Sequence, residues 1–178
     1  DNVEILFVGA EGKMEMEKVP ALGYNIVGLP IAGLQRRLEP KNLLVPFKLV
    51  GSVWKARSII KDFAADAVVG FGGYASAPVL WAAQMLGVPT IIQEQNSYAG
   101  LTNKMLSRRA RRICVAYEGM ERFFPADKII LTGNPLRGRF APAKQKSEEA
   151  LAYYGFSAEK PTLLVVGGSL GTRTLNEM

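Results

Sequence analysis

The chain has 178 residues, a net charge of +6, one cysteine and no histidine. Without histidine, Ser-His-Asp and Cys-His catalysis is excluded inside these residues, and a single thiol makes a zinc site a poor expectation. No motif calls for a cofactor, and none is expected. The apolar and charged fractions are those of an ordinary globular protein, no run of about 18 apolar residues predicts a transmembrane helix, and no signal peptide is recognisable. The positive charge favours phosphates, nucleic acid or an anionic membrane face, without choosing among them.

Val3–Val8 (VEILFV) reads as the first strand, followed by Gly9-Ala10-Glu11-Gly12 and a short helix around Met14–Val19. Tyr24–Leu29 is the next strand, bounded by Gly23 and Pro30. Strand, helix, strand is the unit of a parallel sheet with right-handed crossovers. After an irregular stretch, a long helix is predicted from about Val45 to Ala64. Its start carries more large apolar side chains than one buried face needs. Leu43, Leu44, Phe47, Val50 and Trp54 stand among Arg36, Arg37, Lys41, Lys48 and Lys55. Either these side chains pack in the core, or they form a greasy patch ringed by cations that suits an anionic membrane surface.

Ala67–Phe71 is a short Val-rich run that predicts a strand buried on both faces. It ends in Gly72-Gly73, and Ser76-Ala77-Pro78 opens a helix that stops at Gly87. A glycine turn between strand and helix brings backbone N–H groups to a helix N-terminus, where an anion can bind. Pro89–Gln93 predicts a second buried strand, ending in Glu94-Gln95-Asn96 at the carboxyl edge, where open α/β sheets bind ligands. Two strand ends therefore offer a phosphate-type loop and a carboxylate with two amides. The alternative is that both are plain connectors.

Leu101–Arg112 (LTNKMLSRRARR) is a short helix with a basic end, which offsets the helix dipole or contacts phosphate or lipid; it is too short and too poor in aromatics to argue for nucleic acid. Arg112–Ala116, holding Cys114 as a buried residue, and Lys128–Thr132 are further strands, with a helical turn at Glu118–Phe124 between them. Ala141–Lys146 reads as a linker, and Ser147–Gly155 as a small helix with Ser147 as N-cap. Pro161–Val166 starts a new strand that runs into a second glycine turn, Gly167–Thr172. The expected class is α/β, an open, doubly wound parallel sheet with a second domain beginning near residue 161.

Four segments, in order, resemble one family: GFGGYASAP at 70–78, QEQNSYAGLTNK at 93–104, TGNPLR at 132–137 and LLVVGGSLGTRTLN at 163–176. They are similar to the MurG family, bacterial N-acetylglucosaminyltransferases that convert lipid I to lipid II in peptidoglycan synthesis. The resemblance implies the N-terminal half of a GT-B glycosyltransferase, built of Rossmann-like domains. Residues 1–140 would form the acceptor-binding domain without its first strand and glycine loop, 141–160 a linker and small helix, and 161–178 the start of a truncated donor domain.

Carried over by matching positions, the resemblance implies that Gly72, Gly73 and Tyr74 meet the diphosphate of lipid I. Asn96, Arg137 and Ser169 would contact UDP-N-acetylglucosamine, and Gln95, Asn103 and Asn176 are further cleft positions. Glu94 matches no confident catalytic role; a positioning role is expected, unless burial raises its pKa enough to make it a base. Gln93 departs from the family, where many members have histidine. The histidine proposed as base would precede residue 1, and the uracil site would follow residue 178, so the chain by itself is expected to be inactive. The implied partners are UDP-N-acetylglucosamine, lipid I and, through Leu44, Phe47, Lys48, Val50, Trp54 and Lys55, the cytoplasmic face of the bacterial inner membrane. Nucleic acid is not implied. The alternatives are another GT-B glycolipid transferase, or a non-enzymatic module binding a phosphorylated ligand or a membrane.

Overall fold

The structure, a computed structural model, describes residues 3–31, 45–136, 147–163, 165 and 177; the side chains of residues 45–48 and of Tyr74 lie outside that description. The chain divides into two compact units, Asp1–Pro135 and Leu136–Met178.

In the first unit, β1 (Leu6–Ala10) runs into α1 (Glu15–Lys18) and β2 (Asn25–Leu29). The two strands pair in parallel, from Leu6 opposite Asn25 to Ala10 opposite Leu29. The first strand therefore starts three residues later than Val3. Its ladder begins where β2 supplies partners, and Val3 is left exposed.

Helix α2 spans Val45–Asp62. Ser52, Ala56 and Ile60 recur at helical spacing on its buried face, and Val53 and Ile59 pack against the same core. Strand β3 (Val68–Gly70) then leads through Gly72 into α3 (Gly73–Leu86). The helix begins three residues earlier than the Ser-Ala-Pro signal indicates, because the glycines turn the chain first. Pro78 therefore sits inside α3. Gly87, at φ +75°, ends the helix, its N–H returning to the carbonyls of Ala83 and Gln84.

Strand β4 (Thr90–Glu94), α4 (Leu101–Leu106), β5 (Arg112–Val115) and β6 (Ile129–Leu131) complete the unit. Strands β3 to β6 form one parallel ladder in sequence order. Strand β4 lies inside this ladder, and Thr90, Ile92, Gln93 and Glu94 are buried. Strand β3 departs from the expected two-sided burial. Val68 packs into both core clusters, whereas Val69, pointing to the other face, is 51% exposed. Cys114 lies in β5 as a free, half-buried thiol rather than a buried one.

The core has two centres. One joins Leu80, Ile92, Ile113, Val115, Met120 and Phe124, and the other joins Leu29, Ala56, Ile60, Ala82 and Ala83. Helix α3 supplies Leu80 to the first and Ala82 and Ala83 to the second. It is thereby held from two sides, with its N-terminus fixed beside the end of β4. Gly70 permits this close approach. A Cβ there would lie 2.8 Å from Leu80 Cγ and 2.6 Å from Ser76 Oγ.

In the second unit, α5 (Glu148–Tyr154) is capped by Ser147, whose Oγ accepts from the Ala150 N–H at 3.3 Å. Glu148 and Glu149 in its first turn add a favourable dipole interaction. Residues 161–163 carry no strand, and the rest of the expected strand and glycine turn lies mostly outside the described residues.

Candidate functional site

Glu94 closes β4, where the ladder ends and the chain must turn. Its side chain is 1% exposed, so its oxygens need partners from the protein. They have four. Oε1 accepts from Asn96 N at 3.1 Å and Asn96 Nδ2 at 3.0 Å. Oε2 accepts from Gly100 N at 2.9 Å and Asn103 Nδ2 at 2.9 Å. One buried carboxylate thus folds the whole 94–103 segment around itself. Burial is the largest influence on its pKa and pushes it up. The hydrogen bonds from Gly100, Asn103 and Asn96 outweigh that push and hold the carboxyl below its ordinary 4.5. Glu94 is therefore a fixed anion with its acceptor capacity occupied, which suits positioning and not proton abstraction.

The glycine turn lies against this loop. Gln95 Nε2 donates to the Phe71 carbonyl at 3.3 Å. A Cβ on Gly72 would lie 3.5 Å from Asn103 Nδ2 and 3.8 Å from its Oδ1. Gly72 and Gly73 both have φ near +80°, the left-handed region that glycine adopts freely. Gly72 is the N-cap of α3 and makes no side-chain cap hydrogen bond. An uncapped helix start of this kind presents donors and the positive dipole end to an anion.

The TGNPLR segment is tied to the same strand end. Gln93 Nε2 donates to the Gly133 carbonyl at 3.3 Å, and Asn134 Nδ2 to the Gln95 carbonyl at 3.4 Å. Gln93 here serves as a tether between β4 and Gly133.

The structure thus brings together Gly72, Gly73, Glu94, Gln95, Asn96 and Asn103. Tyr74 is in the first turn of α3, but its side chain lies outside the described residues. Arg137, Ser169 and Asn176 lie outside them, as do Arg36, Arg37, Lys41, Leu43 and Leu44. Of the expected patch, Phe47 and Lys48 have undescribed side chains, whereas Val50 and Trp54 are 57% and 69% exposed. Those two are not core residues. Lys55 is exposed and pairs with Glu11 at 3.2 Å.

Several contributors were not singled out from the sequence. The Gly100 N–H is invisible as a ligand of Glu94 because a backbone group carries no residue signature. Gly133 and Asn134 sit in a segment read only through Arg137. A further cluster surrounds Lys104, whose Nζ lies 4.0 Å from the Tyr98 ring centroid and 4.4 Å from that of Phe123. Arg122 covers Phe123 and donates to the Ser97 carbonyl at 2.8 Å. An open cavity of about 350 Å³ lies there, with Lys104, Arg108, Arg122 and Glu121 in its walls. Leu101 and Met105, one turn apart on α4, are also largely exposed. Their spacing was the available signal. Among the described residues no group of acidic, histidine or cysteine side chains is placed to hold a metal ion.

The family model "Glycosyltransferase family 28 N-terminal domain" matches residues 1–115. The chain belongs to glycosyltransferase family 28. It is 59% identical over 175 residues to a Bacteroides fragilis protein named UDP-N-acetylglucosamine--N-acetylmuramyl-(pentapeptide) pyrophosphoryl-undecaprenol N-acetylglucosamine transferase, an alignment covering 98% of this chain and 46% of the relative. A protein of the same name from Parabacteroides distasonis is 60% identical, with 98% of this chain and 48% of the relative covered. This family 28 chain spans about half the length of the curated relatives it matches. A crystal structure of Acinetobacter baumannii MurG is similar with a TM-score of 0.60 and 32% identity, over 76% of this chain and 38% of that one. The fold is accordingly the Rossmann-like N-terminal half of a GT-B glycosyltransferase, and the resemblance read from the four motifs holds along almost all of the chain.

Proposed function

We propose that this chain is the acceptor-side half of an inverting N-acetylglucosaminyltransferase that converts lipid I to lipid II. The observation that carries the reading is the Glu94 cradle, which sets the Asn96 loop beside the uncapped Gly72–Gly73 turn. The named activity of relatives near 60% identity supplies the reaction. In that reaction the C4 hydroxyl of the lipid-linked muramyl sugar attacks the anomeric carbon of UDP-N-acetylglucosamine. The hydroxyl loses its proton to a base and UDP leaves with the bond electrons.

The turn and the α3 N-terminus would hold the acceptor diphosphate, with Tyr74 alongside. By the same reading Asn96, Arg137 and Ser169 are donor-contact residues, and Gln95, Asn103 and Asn176 are further substrate-binding positions. Glu94 positions these groups and does not act as the base. Residues 1–140 act as the acceptor domain and 161–178 as the start of the donor domain. The exposed Val50 and Trp54 on α2 support peripheral contact with an anionic membrane, the cytoplasmic leaflet where lipid I presents its sugars. Among the described residues no helix is long and apolar enough to cross a membrane.

The test uses the full-length protein with UDP-N-acetylglucosamine and a lipid I analogue. Gly73→Val puts a β-branched side chain at φ +80°, deforming the turn. The acceptor KM should rise and the donor KM should hold. Unchanged acceptor kinetics in a folded variant would make the turn a connector. This chain alone, lacking half the length of its relatives, should give no turnover under the same conditions.

A further inference from the structure

Asn103 has one end satisfied and one end stranded. It is 2% exposed, in the first turn of α4. Its Nδ2 is committed, donating to Glu94 Oε2 at 2.9 Å and approaching the Gln93 carbonyl at 3.4 Å. Those two acceptors define which end of the amide is nitrogen, since a reversed amide would set oxygen against oxygen twice. Oδ1 is therefore the end left over, and it is buried without a hydrogen-bond partner. A buried acceptor left unpaired is costly, and one in a native fold calls for an account. The glycine turn lies against this amide: a Cβ on Gly72 would stand 3.5 Å from Nδ2 and 3.8 Å from Oδ1, ordinary contact distances. A turn of two glycines at positive φ can shift by a fraction of an ångström without meeting side-chain sterics.

We propose that Asn103 is a positioning residue that couples the acceptor turn to the Glu94 cradle: when the turn is loaded with a diphosphate, the stranded Oδ1 of Asn103 accepts a backbone N–H of the Gly72–Gly73 turn. Loading then supplies the missing bond, so the empty turn is the less satisfied state and the occupied turn is locked onto Glu94. The inference rests on the reading that this turn receives the diphosphate.

The experiment measures the two KM values and kcat separately in the full-length protein, with UDP-N-acetylglucosamine and a lipid I analogue. Asn103→Ala removes the lock. The acceptor KM should rise about tenfold, the scale of one buried hydrogen bond. The donor KM should stay within about twofold, because three donors still hold Glu94. A residue that only supports the fold would instead lower kcat through the active fraction and leave both KM values in place. That outcome, or equal shifts in both KM values, overturns the proposal. Asn103→Leu keeps the branching and heavy-atom count of the side chain and repeats the measurement where Asn103→Ala does not fold; failure of both variants to fold would assign Asn103 to the core and also overturn it. Gly73→Val separates the two levels. If it raises the acceptor KM while Asn103→Ala does not, only the coupling falls. If it leaves the acceptor KM unchanged, the diphosphate reading falls and takes the coupling with it.

Discussion

Asn103 Nδ2 meets Glu94 Oε2 at 2.9 Å, both groups buried, at the point where the glycine turn touches the β4 loop. A charged acceptor with a neutral donor is stronger than a neutral pair, and here it sits where water cannot compete. The segment between the two residues, including Asn96 and Gly100, is organised by the same carboxylate.

The Glu94 carboxylate makes stability depend on pH. An unfolded chain takes up this proton near pH 4.5, and the folded chain only at lower pH. Between those values the unfolded state holds more protons, so stability rises with pH there. The contribution is fully present above the unfolded value and is lost as pH falls through the folded one. Urea midpoints of this chain should therefore fall as pH is lowered below 4.5. Glu94→Gln should lower the midpoint at pH 7, a stability loss of about 1–3 kcal/mol, because its amide nitrogen would oppose two donors. It should also flatten the acid slope. A variant with wild-type stability at pH 7 would contradict the cradle.

Gly70 is predicted to resist even one methyl group. Leu80 and Ser76 stand within reach of any Cβ there, and Leu80 is fully buried with no room to yield. Gly70→Ala should destabilise by about 1–3 kcal/mol through overpacking. Thermal unfolding followed by circular dichroism reads this directly. As a control, Gly51→Ala, at an exposed position in α2 with open space for a Cβ, should be neutral or slightly stabilising.

The exposed face of α2 leads to a membrane prediction. Val50 and Trp54 are one turn apart and project outward, so replacing both with serine should leave the melting temperature nearly unchanged. Binding of the full-length protein to anionic vesicles should weaken as salt rises, since the Debye length is roughly 8 Å at physiological ionic strength. The double variant should bind less at every salt concentration, because apolar area no longer leaves water. Equal binding by variant and wild type would exclude these two side chains. Reversing Lys55→Glu should have a smaller effect on stability, as its exposed pair with Glu11 contributes only about 0–1 kcal/mol.

The sequence by itself determined the order of strands and helices, the parallel class and the position of the glycine turn. These depend on local pattern: short Val- and Ile-rich runs, glycine stops and helical spacing. It also placed Glu94, Gln95 and Asn96 at a strand end, which is a matter of counting from the end of an apolar run. The tertiary structure decided what those residues do. Burial of Glu94 argues for a raised pKa. Only the convergence of Asn96, Gly100 and Asn103 on its oxygens reverses the sign, and two of those four donors are backbone N–H groups that no residue letter reveals. The same holds for Trp54. Its aromatic ring fits core and surface equally well as a residue type, and only the placement of Ser52, Ala56 and Ile60 against the core turns it outward. Strand β3 shows the reverse case. Its apolar run reads as buried on both faces, yet burial depends on what packs above each face, a non-local fact, and Val69 meets no cover among the described residues.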